Sequence, residues 1–331
     1  MAQHPEEIQA NLPGLILDPQ KILVLFSQDC MDRHLTEETI ARYLSPLRIF
    51  LAFIKERGIM LDKVDRHVLK DFIHQRRNYG GKDGNGVHQK TLENNFSALS
   101  TFYEFLTFEG HANNNPVLPV RKRYLTRYKE DDEDDESPRK LISVDEMAML
   151  INSILSIRDK AVVTLLAKTG VRRSELISMD ADDVNWVGGS ITLKRKRFKK
   201  RSNRIVFFDD ETARILKRWM ALREKMNPET SALFVGEHGE RLKRNGVYSL
   251  VTKYAQAIGL HNPESNRIED HFSPHCCRHW FTTSLRRAGM SKDFIKVFRG
   301  DRRRDAVDIY DHIDREELRR AYLTFIPQLG V

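Results

Sequence analysis

Ser190-Ile191-Thr192-Leu193-Lys194-Arg195-Lys196-Arg197-Phe198-Lys199-Lys200-Arg201-Ser202-Asn203-Arg204-Ile205-Val206-Phe207-Phe208 decides the fold class. Two short β-forming runs, Ser190 to Leu193 and Ile205 to Phe208, flank a polar stretch, which is the pattern of a hairpin. Lys194 to Arg204 holds four Lys and four Arg in eleven positions. Like charges at that density repel one another unless a polyanion neutralises them. A two-stranded ribbon carrying Lys194, Arg195, Lys196, Arg197, Lys200, Arg201 and Arg204 suits the backbone of double-stranded DNA.

The sequence on both sides of this ribbon has helical spacing. Upstream, Ser143 with Glu146 has the form of a capping box, and Asp159 to Lys168 carries Ala161, Val162, Leu165 and Leu166 on one face before a stop at Gly170. Downstream, Glu211 to Lys225 is amphipathic, Gly246 to Ile258 reads as a further helix, and Ser273-Pro274 is a strong helix start. Nearer the N-terminus, Ile22 to Phe26, Thr36 to Arg57, Asp65 to Tyr79 and Thr91 to Glu109 read as helices. The expected fold is mostly α with a small antiparallel sheet. Residues 1–15 read as a flexible leader, 16–116 as a helical domain, 117–140 as a basic then acidic linker, and 141–331 as an α+β domain.

Composition narrows the class. The 331 residues contain 55 Lys+Arg and 47 Asp+Glu, for a net charge of +8. Glu130 to Glu136 is an unbroken run of seven acids, so the rest of the chain carries +15. No apolar run approaches the ~18 residues of a membrane span, and the start lacks a secretory pattern. Cys30, Cys276 and Cys277 fit neither a disulfide framework nor a spaced zinc set. These features predict a soluble cytoplasmic protein with reduced thiols.

Three stretches carry chemistry. In Ser273-Pro274-His275-Cys276-Cys277-Arg278, His275 and Arg278 share a face in the first turns of a helix, where amides and dipole favour anions. In Lys168-Thr169-Gly170-Val171-Arg172-Arg173-Ser174-Glu175, Arg172 lies between a helix stop and the next helix, and Glu175 is placed to hold its guanidinium. Near the end, Asp308-Ile309-Tyr310-Asp311-His312 sets a tyrosine among polar neighbours. Singly, each is an ordinary surface or packing residue. Together, two Arg, a Lys, a His and a Tyr are what attack on a phosphodiester requires, because bidentate Arg stabilises charge developing on phosphorus without a metal.

On these motifs, Thr-Gly-Val-Arg172-x-Ser-Glu175-Leu, His275-x-x-Arg278-His and Tyr310 with His312, the sequence resembles the tyrosine recombinases, the phage-integrase and Xer-like family, over nearly its full length. The resemblance implies a two-domain DNA clamp in which a SAM-like core-binding domain faces the catalytic domain. It implies site-specific recombination of double-stranded DNA through a 3′-phosphotyrosine on Tyr310, with no metal, ATP or other cofactor. It further implies that Arg172 and Arg278 bind the scissile phosphate, that His275 assists proton transfer, with Glu175 and His312 supporting, and that a hairpin lysine protonates the leaving 5′ oxygen. Lys199 is favoured for that last role, and the repetitive register leaves Lys196 and Lys200 as alternatives. A homo-tetramer on DNA exchanging its C-terminal helix, through Leu318, Tyr322, Phe325 and Leu329, is implied as well.

One position departs from the pattern. Where the family has His or Trp, nine residues before the nucleophile, this sequence has Asp301 within Phe298-Arg299-Gly300-Asp301. An ionised carboxylate donates no hydrogen bond to phosphate, and its charge opposes a developing anion. Either Asp301 orients Arg172, Arg278 or the hairpin lysine, or Arg299 or Arg302 takes over as donor. The segment through IYDHIDREELRRAYLTFIPQLG is similar to the archaeal integrase branch and reads as a variant active site. The competing reading is a non-catalytic architectural or regulatory DNA-binding protein that keeps the clamp.

Overall fold

The fold is that of a computed structural model, which describes residues 19–81, 84–125, 140–194, 204–265, 267–301 and 314–331. The chain forms two compact units, Met1–Asp132 and Glu133–Val331. The leader and the acidic run lie outside the described residues.

The first unit is helical. Helix α1 spans Pro19–Asp32, well beyond the expected Ile22 to Phe26, because Ile22, Phe26 and Cys30 recur every four residues and are all buried. Helix α2, Glu37–Glu56, starts where Thr36 accepts a hydrogen bond from the Thr39 amide. Helix α3, Arg66–Tyr79, starts where Asp65 accepts from the amides of His67 and Val68. Helix α4, Gln89–Phe108, buries Leu92, Phe96, Leu99, Phe102, Tyr103 and Leu106. Aromatic rings fill the centre: Phe26 meets Phe102 edge-on at 5.3 Å and Phe50 meets Phe72 at 5.1 Å. Each such ring contributes about 1.5–3 kcal/mol of burial.

The stretch from 117 to 125, expected as linker, instead forms a short helix α5, Val117–Val120, and a wider turn, Arg121–Leu125. Val117, Val120 and Leu125 enter the first unit's core. Their helical spacing is masked in the sequence by the intervening cations.

In the second unit, α6 (Val144–Asn152) opens on the expected capping box, with Ser143 Oγ 3.1 Å from the Glu146 amide and Glu146 Oε2 2.7 Å from the Ser143 amide. Helix α7, Ile157–Thr169, runs through the middle, buried continuously from Ala161 to Thr169. It stops at Gly170, whose φ of +60° is left-handed. A Cβ there would also lie 2.3 Å from the Phe281 ring, so glycine is required twice over. After a single turn, α8 (Arg173–Leu176), comes a three-stranded antiparallel sheet in the order β1 (Val184–Asn185), β2 (Ser190–Leu193), β3 (Arg204–Phe207). The two hairpin arms pair as expected, with Ile191 opposite Val206. Helices α9 (Asp210–Met226), α10 (Arg244–Ala257), α11 (Pro274–Arg287), α12 (Lys292–Arg299) and α13 (Arg315–Phe325) complete the unit. Mostly helical structure around one small antiparallel sheet is the fold class read from the sequence.

The C-terminal segment docks on its own unit. Tyr322, Ile326 and Leu329 are buried in its core, with Leu318 and Phe325 packed against it. Lys168, fully buried on α7, donates at 2.6 Å to each of Asp209 Oδ2, Glu211 Oε2 and Pro327 O. Glu211 in turn accepts from the amides of Leu329 and Gly330.

Candidate active site

Helix α11 carries Arg278 inward and His275 outward. Cys277, Phe281 and Leu285 anchor its core face, so Arg278 is drawn in against the end of α7 and is only 4% exposed. Arg278 Nη1 donates to Gly170 O at 2.7 Å, and Nη2 donates to Arg299 O at 2.7 Å. Burial, with Arg172, Arg204 and Arg299 nearby, pulls this guanidinium down to about 9 against the opposing effect of Glu175, which leaves it charged at neutral pH.

Arg172 also reaches the Arg299 carbonyl. Its Nη1 lies 3.2 Å from Arg299 O and 3.2 Å from Glu175 Oε1, while Glu175 Oε2 accepts the Arg172 amide at 2.6 Å. One main-chain oxygen, Arg299 O at the end of α12, thus registers both guanidinia. The Lys-Thr-Gly-Val-Arg172 turn and the His275-x-x-Arg278 helix, separated by about a hundred residues of sequence, meet at the Gly170 and Arg299 carbonyls.

Arg204 joins this group. Expected among the DNA-facing cations of the hairpin, it is placed at the base of β3 with its side chain 14% exposed. Its Nη2 donates to Glu175 Oε2 at 2.7 Å and its Nη1 to Phe298 O. It also lies against Gly300, where φ is +62° and a Cβ would sit 3.0 Å from the Arg204 Cδ. Arg204 therefore couples strand β3 to Glu175 and to the turn after α12. The sequence signal for it was only its place at the start of a strand, without the distant Glu175 that gives it a role.

Asp301 follows that turn. Its Oδ1 lies 3.5 Å from both Arg172 Nη2 and Arg278 Nη2, and its Oδ2 lies 2.9 Å from Arg299 Nε. Lys194, the first hairpin cation, is exposed but paired with Asp180 at 3.0 Å and Asp183 at 2.8 Å, which ties down the end of the arm. Those two carboxylates raise the Lys194 ammonium's pKa, Asp183 most. His275 is exposed on α11, its ring 4.6 Å from that of His279. Arg195, Lys196, Arg197, Lys199, Lys200, Arg201, Arg302, Tyr310 and His312 lie outside the described residues. The arrangement as described is a polarised anion site: four guanidinia, Arg172, Arg204, Arg278 and Arg299, against the carboxylates of Glu175 and Asp301.

Residues 140–317 match the model of the phage integrase family, and residues 24–110 match that family's N-terminal SAM-like domain. The chain belongs to the phage integrase family. The match spans the cluster around Arg172, Arg204, Arg278 and Asp301. Among curated relatives, tyrosine recombinase XerD of Chlorobaculum tepidum is 27% identical over 309 residues, covering 90% of this chain and 93% of the relative. Tyrosine recombinase XerD of Oceanobacillus iheyensis is 26% identical over 308 residues, covering 90% and 95%. Among solved structures, the XerH site-specific recombinase bound to palindromic difH substrate in a post-cleavage complex aligns with a TM-score of 0.65 at 20% identity, covering 92% of this chain and 84% of that one. That likeness is one of fold. No helix among the described residues is long and apolar enough to cross a membrane.

Proposed function

We propose that this integrase-family chain, a tyrosine-type site-specific DNA recombinase, cuts and rejoins DNA through Tyr310. The observation that carries the reading is the convergence of the Arg172 and Arg278 guanidinia on one carbonyl, each with a further donor turned toward a common anion position. In this scheme those two residues take the nonbridging oxygens of the scissile phosphate. The Tyr310 phenol oxygen attacks phosphorus, the bond to the 5′ oxygen breaks, and a 3′-phosphotyrosine forms. A hairpin lysine, Lys199 or its neighbours Lys196 and Lys200, gives its proton to the leaving 5′ oxygen, and His275 takes part in proton transfer. The ester to tyrosine retains the bond energy, so reversal of the step by another 5′ hydroxyl reseals the strand without ATP. Arg204 and Glu175 keep the two phosphate-binding guanidinia in register.

The same reading assigns residues 16–125 to DNA binding, the chain from 126 to 140 to the connection, and 141–331 to catalysis. It takes double-stranded DNA in the cytoplasm as substrate and four protomers as the working assembly. Exchange of the C-terminal segment between protomers fits the slot formed by Lys168, Asp209 and Glu211, because much of what that slot binds is main chain, which any copy of the tail supplies.

The test is to express wild type and Tyr310→Phe, stop the cells with detergent, purify under denaturing conditions and sequence the DNA that remains attached. Adducts in wild type alone are expected, and they identify the target site. If a nicked suicide duplex also fails to trap an adduct with wild type, while both proteins bind DNA, the architectural reading replaces this one.

A further inference from the structure

Arg172 and Arg278 are already fixed without Asp301. Arg278 spends two donors on main-chain oxygens at 2.7 Å, and Arg172 is held through Glu175 and Arg299 O. What each directs at Asp301 is its Nη2, which in Arg278 also donates to Arg299 O, and both reach the same oxygen at 3.5 Å, the outer limit of a hydrogen bond. A carboxylate that oriented these side chains would have short bonds to them; this one is loosely shared between two guanidinia that others position. Its second oxygen has another cation beside it, since Arg299 Nε is buried and lies 2.9 Å from Oδ2 without the alignment of a hydrogen bond. The backbone underneath is pinned by the Asp301 amide donating to Lys296 O at 3.1 Å and by the left-handed Gly300, so displacing the carboxylate requires only a side-chain rotation.

We propose that Asp301 is a built-in stand-in for the scissile phosphate: in the DNA-free protein its carboxylate occupies the shared anion position of Arg172 and Arg278, and the substrate phosphate displaces it toward Arg299. The inference rests on the reading of Arg172 and Arg278 as the phosphate-binding pair. It accounts for an acidic residue in a site built for anions. Four guanidinia packed together repel one another, and a carboxylate of their own offsets that repulsion until DNA arrives. It also makes entry competitive, so a phosphate must exceed an internal anion before the two arginines close on it.

The probe is sulfate, titrated by calorimetry into the full chain at neutral pH and low ionic strength. Wild type is compared with Asp301→Asn, Asp301→Ser, Asp301→Glu and Arg278→Gln. Removing one competing charge at this range should tighten sulfate binding by about tenfold in the Asn and Ser variants. Asp301→Glu, which keeps the charge, should stay near wild type, and the Asn gain should vanish in the double variant with Arg278→Gln. A merely structural role gives no gain in affinity. Unchanged or weaker binding in the Asn and Ser variants overturns the stand-in, provided Arg278→Gln still lowers binding. If Arg278→Gln leaves sulfate binding untouched, the phosphate-binding pair itself is refuted, and the stand-in falls with it.

Discussion

Replacing Lys168 with Met strands two carboxylates inside the second unit. The ammonium has three protons and meets three acceptors at 2.6 Å, Asp209 Oδ2, Glu211 Oε2 and Pro327 O, with Lys168 fully buried and each carboxylate residue only 5% exposed. Removing one partner of a buried ion pair costs about 3–5 kcal/mol, because the remaining charge is uncompensated. A unit of this size loses about 2–4 °C of melting temperature per kcal/mol, so calorimetry of the full chain should find its transition about 6–20 °C lower. Adding Asp209→Asn and Glu211→Gln to Lys168→Met should restore a large part of that loss, since neutral amides need no cation.

The pH dependence has a definite sign. Burial alone raises both carboxyls, but Lys168 outweighs it by charge and hydrogen bonding, so Asp209 and Glu211 titrate below their ordinary values. Their stabilisation is complete above about pH 4, the unfolded carboxyl range, and is lost as pH falls through the lower folded values. In Lys168→Met burial is opposed only by hydrogen bonds, such as those from Thr212 to Asp209 and from the Leu329 and Gly330 amides to Glu211, so the gap to wild type should narrow on acidification toward pH 4. A melting temperature within about 2 °C of wild type at pH 7 would refute the claim that this cluster is desolvated and mutually dependent.

Two further substitutions probe the guanidinium cluster. Gly170→Ala forces a side chain into a left-handed residue and against the Phe281 ring, which should cost more than about 1–3 kcal/mol in denaturant unfolding and depress adduct formation by shifting the carbonyl that holds Arg278. Arg204→Ala should leave the salt dependence of DNA binding unchanged but slow adduct formation at the recovered target site by about a hundredfold, the scale of a 1 Å misplacement. A salt slope reduced by about one would instead mark Arg204 as a phosphate contact.

Helix starts were legible because a cap is a local event: Thr36, Asp65 and Ser143 each satisfy amides two or three residues away. The hairpin arms were legible for the same reason, and so was Arg172 beside Gly170 and Glu175. What stayed hidden depends on partners distant in sequence. Eight cations in one run look alike, and only Asp180, Asp183 and Glu175 distinguish Lys194 and Arg204 from the others. Lys168 reads as one more basic residue near a helix end, yet it is the buried centre of the tail's docking site. Val117, Val120 and Leu125 are apolar at helical spacing, but a strongly basic context made them read as connector.

The shared use of Arg299 O has a consequence for how such a site drifts over generations. A substitution at residue 299 replaces its side chain, and with it one guanidinium of the site, but does not remove the acceptor that Arg172 and Arg278 both use. Insertions, deletions and proline or glycine exchanges in the turn after α12 move that acceptor directly. Tolerance to replacement of residue 299 and intolerance to changes in chain length should therefore coincide in the turn after α12. A library that randomises residue 299 should retain more active clones than one that adds a single residue beside it.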